Sequence, residues 1–123
     1  MSTGSIGEEV AGEYLVRHGY KILERNYTKR PFGEIDIVAE KDHVLCFIEV
    51  KTSRYFAGSG FSPELRVHTE KIRRLKRICE VYLRENNMLD RNWRIDVISV
   101  ILDQDDAVVS LKHFENAVFG RKY

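Results

Sequence analysis

Two alternating apolar runs separated by a two-residue break constrain this chain more than any other feature. Glu34-Ile-Asp-Ile-Val-Ala-Glu40 and the run from Val44 to Lys51 have the two-residue period of strands. The break at Asp42-His43 is short enough to favour an antiparallel hairpin. If Lys41 faces Val44 across that turn, Glu40 faces Leu45, Val38 faces Phe47, Asp36 faces Glu49 and Glu34 faces Lys51. Glu34, Asp36, Val38, Glu40, Leu45, Phe47, Glu49 and Lys51 then share one side of the hairpin, and Ile35, Ile37, Ala39, Cys46, Ile48 and Val50 form a wholly apolar other side. A slip of one residue would drive Asp36 among aliphatic side chains, so the register is specified by burial.

The mixed side is apolar near the turn and charged at the far end, where Glu34, Asp36, Glu49 and Lys51 collect. Opposed carboxylates repel, and a strand rich in Val, Ile and Phe rarely carries them without a compensating cation. A hard divalent ion is one such cation, because Mg²⁺ takes oxygen ligands from one or two carboxylates together with water and phosphate. Lys51 follows Glu49 by two residues, about 7 Å along the strand, and projects from the same face. It can stabilise charge on a phosphoryl oxygen that such an ion also polarises. The competing interpretation is a plain salt-bridge cluster at a strand end.

The remaining chain supplies the layers. Ser5-Ile-Gly-Glu8 has capping-box spacing, and Ile6, Val10, Ala11, Tyr14 and Leu15 recur at helical intervals until Gly19. Glu8 is explained by capping, although it also borders the apolar stripe and can lean toward the sheet as a third carboxylate. Tyr20 to Asn26 reads as a strand, and Tyr27 to Gly33 as a polar link. Ser53 to His68 reads as a surface loop, followed from Thr69 by a helix with Ile72, Leu75, Ile78, Cys79, Tyr82 and Leu83 on one stripe. Asn86-Asn87 ends that helix. Arg94 to Ile101 and Ala107 to His113 alternate as strands, and Asn116 to Phe119 reads as a final turn. The order αβββαββ over residues 1–123 points to one domain with a mixed sheet flanked by helices, an α/β or α+β sandwich.

Charge and composition exclude some classes. A net charge of +1 gives no overall attraction to nucleic acid, so any such binding must come from local patches. Arg25, Lys29 and Arg30 crowd one segment; Lys71, Arg73, Arg74, Lys76, Arg77 and Arg84 crowd another. Arg54, Tyr55, Phe56, Lys71 and Arg74 are the candidate nucleic-acid contacts, since aromatic faces stack on bases and basic faces track phosphates. Packing over the sheet edge and ordinary solvated helix faces explain the same residues. No run approaches the ~18 apolar residues of a membrane span, and the N-terminus lacks a signal pattern, so a soluble cytoplasmic protein is expected. Cys46 and Cys79 fall in apolar runs and read as buried thiols. The four histidines lie on separate elements without ligand spacing, and Asp96 beside Arg94 reads as a structural ion pair.

Gly33-Glu-Ile-Asp-Ile-Val-Ala39 followed by Phe47-Ile-Glu-Val-Lys-Thr52 resembles the PD-(D/E)XK nuclease superfamily, and more closely the YraN family of bacterial proteins, related to archaeal Holliday-junction resolvases. The likeness extends through Gly7-Glu8, the Lys71 helix, Arg94-Ile-Asp-Val97 and His113-Phe-Glu-Asn-Ala117. It implies a restriction-endonuclease-like α/β/α sandwich and a Mg²⁺- or Mn²⁺-dependent endonuclease acting on DNA rather than RNA, branched or damaged DNA included. Asp36, Glu49 and Lys51 match the metal-binding and catalytic set, and Glu8 matches a helix glutamate that would add a ligand. Ile35 stands where the superfamily's name has proline. Related resolvases are dimers, which extends the expectation to a homodimer. The superfamily also includes domains that bind nucleic acid without cutting it, so a non-catalytic binding module of the same fold is the alternative. A protein-interaction domain using the 53–68 loop is the third.

Overall fold

The computed structural model describes residues 2–55 and 69–117, without side chains at 69–72. The elements are α1 (Thr3–Arg17), β1 (Lys21–Lys29), β2 (Gly33–Lys41), β3 (Val44–Arg54), α2 (Thr69–Glu85), β4 (Asn92–Leu102) and β5 (Val108–Phe114). This is the expected order. The strands form one sheet in the sequence β1-β2-β3-β4-β5. All neighbours are antiparallel except β3 and β4, which run parallel from Val44↔Asn92 to Arg54↔Leu102. A parallel pair needs a crossover, and α2 lies within the connection that makes it.

Alternation along the strands feeds two cores, one on each face. Val38, Leu45, Phe47 and Ile95 pack with Leu75, Ile78, Cys79, Tyr82 and Leu83 of α2. Ile37, Ala39, Cys46, Ile48, Ile98 and Val100 pack with Ala11 and Leu15 of α1. The result is an α/β/α sandwich with a mixed central sheet, as the sequence pattern and the family likeness both implied. Each large aliphatic side chain so buried contributes roughly 1.5–3 kcal/mol. On the α2 side the Phe47 ring meets Tyr82 and Trp93 edge-on at 5.6 and 5.7 Å. Cys46 and Cys79 are buried and free. Asp42 and His43 both have positive φ, 53° and 67°, the type I′ geometry that matches strand twist in a two-residue hairpin.

Three expectations are corrected. The cap of α1 is Ser2, whose Oγ accepts from Ser5 N, so the Ser5–Glu8 box is not the helix start and Glu8 is freed from capping. β1 runs on to Lys29, because Tyr27 is buried and its hydroxyl donates to Glu85 Oε1 at 2.7 Å. Pairing of β2 with β3 follows the expected register from Lys41↔Val44 to Ile37↔Ile48 and stops there. Asp36–Glu49 and Glu34–Lys51 are therefore not ladder partners. The final turn is described to Ala117, whose amide donates to Ile95 O at 3.0 Å; Val118 and Phe119 lie outside the described residues.

The stop has a visible cause. In a continued ladder the Val50 amide would meet the backbone of β2, but it donates to Asp36 Oδ2 at 2.7 Å instead. Residues two apart on a strand share a face, yet Ile35 joins the α2 core and Ile37 the α1 core. The neighbouring strand changes face at the same level. Tyr27 enters the α2 core, whereas Arg25 reaches Gly12 of α1, and Asn26 between them has φ of 51°. Asn tolerates that left-handed conformation better than most residues.

Candidate acidic site

The splayed end of the hairpin brings carboxylates together from three elements. Asp36 of β2 fills the gap beside Val50, Glu49 stands next to Val50 on β3, and Glu8 reaches over from α1. Glu8 Oε1 accepts from Asn26 Nδ2 at 3.0 Å, which ties α1 to β1 at the point where β1 changes face. α1 comes this close because Gly7 has no side chain. A Cβ there would lie 1.8 Å from Thr52 Oγ1. Glu34 and Glu49 line a small cavity with Ile35, Phe47 and Leu75 on the α2 side. The group therefore spans the sheet end, whereas the hairpin register alone put it wholly on one side.

Asp36 feels this crowding most. Burial pushes its carboxyl up to about 7, against the opposing hydrogen bond from the Val50 amide, and Glu8, Glu49 and Glu34 add repulsion in that order. A half-buried carboxyl held near neutrality among three other carboxylates is poised to take a cation or a proton.

The other candidates divide. Lys51 lies two residues past Glu49 on β3, so it shares the strand face. Arg54 is engaged structurally, donating to Asp103 O at 2.7 Å and Thr3 Oγ1 at 3.1 Å and pairing with Asp106 at 2.6 Å. That ties the end of β3 to α1 and to the β4–β5 connection, which leaves the guanidinium poorly placed for a phosphate. Tyr55 is exposed, as is Arg74 on the outer face of α2. Ser53 and Arg54, expected to open a loop, instead extend β3 along β4; Phe56 and the rest of that segment to His68, and the Lys71 side chain, lie outside the described residues.

Asp96 is fully buried, and it is the ion pair expected with Arg94, extended into a network. Its Oδ1 takes Arg94 Nε at 2.9 Å and the Asn116 amide at 2.8 Å, and its Oδ2 lies 2.8 Å from His113 Nε2. His113 Nδ1 meets Tyr14 Oη at 3.0 Å, and Arg94 donates to Tyr20 Oη at 2.9 Å. Burial alone would raise the Asp96 carboxyl. The bonds from His113, Arg94 and Asn116 outweigh it and hold the group below the usual carboxylate range. The network joins β4, β5 and α1, and Asp96 lies level with Ile48 in the sheet.

With this geometry in view, comparison with known proteins is decisive about kinship. Residues 7–100 match the family described as "Uncharacterised protein family UPF0102". The chain belongs to the UPF0102 family. It is 39% identical to the UPF0102 protein of Dictyoglomus turgidum over 114 residues, which cover 93% of this chain and 94% of that one. The UPF0102 protein of Syntrophomonas wolfei is 41% identical over 115 residues, covering 93% and 95%. That of Syntrophus aciditrophicus is 38% identical over 122 residues, covering 98% and 94%. The YraN-type kinship expected from the sequence is thus established, and the matched span takes in Glu8, Asp36, Glu49 and Lys51.

The acidic site of this UPF0102 chain can be tested against the metal that its resemblance implies. Among the described residues no three acidic, imidazole or thiol groups converge on one point. The donors are all hard carboxylate oxygens, however, and one or two of them suffice for Mg²⁺, which keeps several waters. Asp36 and Glu49, with Glu8 alongside, fit that requirement. Among the described residues no helix is long and apolar enough to cross a membrane.

Proposed function

We propose that this UPF0102 protein is a Mg²⁺- or Mn²⁺-dependent endonuclease of PD-(D/E)XK type, hydrolysing phosphodiester bonds in DNA, branched or damaged DNA included. The observation that carries the reading is the crowding of Asp36, held up to about 7 by burial and by Glu8, Glu49 and Glu34 at the open end of the sheet. A fold that needed only an acceptor for the Val50 amide would be served by a neutral side chain. Asp36 and Glu49 would hold the ion, with Glu8 adding negative charge beside it. When bound, the ion supplies charge neutralisation and activation of water at neutral pH. The Val50 amide fixes the Asp36 carboxylate, and Asn26 fixes Glu8, so neither needs to reorganise when substrate arrives. Lys51 stabilises the negative charge that develops on the phosphoryl oxygens. The reading goes with a cytoplasmic protein and extends to a homodimer when the substrate is a two-fold junction.

Labelled four-way junction, flap, nicked, duplex and single-stranded DNA incubated with Mn²⁺ test it. Cleavage by the wild-type protein, abolished in Asp36→Asn and Glu49→Gln, is expected. Binding of these substrates with equal affinity by all three proteins and no cleavage would replace the nuclease with a binding module.

A further inference from the structure

The seam between α1 and β1 holds an open cleft of ≈ 470 Å³ lined by Gly12, Glu13, Val16, Arg17 and Arg25. The seam begins at the acidic site, where Glu8 accepts from Asn26. Gly12 and Val16 follow Glu8 at intervals of four on the same helix face. Each such step advances about one helical turn, ~5.4 Å, comparable with the step between neighbouring phosphates along a nucleic-acid strand. Arg25 precedes Asn26 on β1 and so stands one step along the seam from the carboxylates.

The seat of Arg25 is built. A Cβ at Gly12 would lie 2.6 and 2.8 Å from the two terminal nitrogens of the Arg25 guanidinium. Glycine inside a helix costs about 1 kcal/mol relative to alanine, and here its absence of a side chain is what admits the guanidinium. Arg25 forms no ion pair among the described residues. Glu13 and Arg17 stand four apart on α1 and offset each other in charge. The cleft therefore carries the net positive charge of Arg25. A polyanion brought to the acidic cluster is repelled there until a cation neutralises it, and the guanidinium one step away supplies attraction, with the planar set of donors that arginine offers a phosphate.

We propose that the α1–β1 cleft binds the phosphodiester adjacent to the one cleaved, with Arg25 contacting its non-bridging oxygens. This rests on the phosphodiesterase reading and fixes the direction in which the strand leaves the site, along α1.

Fluorescence anisotropy of labelled DNA with Mg²⁺, in a Lys51→Ala background to prevent cleavage, tests the proposal. Arg25→Ala should weaken binding and lower the magnitude of the slope of log K against log salt by about one. Arg25→Lys should keep the slope, and Gly12→Ala should weaken binding by displacing the guanidinium. A neutral methylphosphonate placed beside the mapped cleavage position should weaken binding when Arg25 is present and change nothing in Arg25→Ala. Equal affinity and salt slope in Arg25→Ala, with DNA still bound and cut by the wild type, would overturn the cleft assignment alone. Failure of the wild type to bind or cut any DNA would overturn both.

Discussion

Replacing Asp36 with Asn should stabilise the protein at pH 8 and leave it unchanged at pH 4. The Asp36 carboxyl rises from an ordinary value of 3.8 to about 7 in the folded protein, chiefly through burial and secondarily through Glu8, Glu49 and Glu34. Between those values the folded state keeps a proton that the unfolded state has released. Stability therefore falls as pH rises through that window, and the full penalty is present above pH 7. Roughly three pH units at ~1.36 kcal/mol each set a ceiling of ~4 kcal/mol. The side chain retains some contact with water, so about 2 kcal/mol is the working figure. Asn keeps a carbonyl oxygen for the Val50 amide, so the change removes charge and preserves that bond. For a domain this size ~2 kcal/mol corresponds to roughly 8 °C in Tm. Thermal unfolding of both proteins by circular dichroism at pH 4, 6 and 8 checks it. A variant less stable than wild type at pH 8, or a difference independent of pH, would show that Asp36 carries no such penalty in the folded protein.

Other consequences follow from the same structure. Asp96→Ala should cost roughly 3–5 kcal/mol in urea denaturation, because it leaves Arg94 and His113 without their buried partner. Asp96 is held below the usual carboxylate range, so its contribution is present above the unfolded pKa. It is lost as pH falls through the lower folded value, and the wild-type-minus-variant difference should shrink at strongly acid pH. Gly7→Ala should cost about 1–3 kcal/mol through the clash with Thr52 and should shift Glu8, lowering both Tm and metal affinity. His43→Gly should stabilise by ~1 kcal/mol in the same denaturation assay, since His43 has a φ of 67° in a type I′ turn that favours Asp-Gly.

Much of the architecture was legible because burial leaves a periodic trace. The two-residue turn, the Lys41↔Val44 register, the α2 stripe through Leu75, Ile78, Cys79, Tyr82 and Leu83, and the buried thiols all follow from apolar spacing. The site itself was only half legible. Asp36, Glu49 and Glu8 could be named because carboxylates stand out against aliphatic runs. Their arrangement could not, because a strand pattern read at a fixed period of two carries no sign that β1 and β2 change face at Asn26 and Asp36. An asparagine at a strand centre was the one available clue, since it accepts positive φ. Ser5 has a glutamate three residues on and so matches a capping box, whereas the true cap, Ser2, has none, and spacing alone does not separate the two. Arg25 read as one of a basic crowd, and its seat against Gly12 depends on how α1 crosses β1.

On the proposed function, the crowding around Asp36 exists to hold a hard divalent cation. Isothermal titration of Mn²⁺ at pH 7, repeated in buffers of different ionisation enthalpy, measures both affinity and protons released. With Asp36 at about 7 before binding, roughly half a proton should leave per ion at pH 7 and almost none at pH 9, and both heat and release should vanish in Asp36→Asn. Binding of Mn²⁺ with no proton release at pH 7, or binding equal in Asp36→Asn, would mean that Asp36 is not a ligand of the ion.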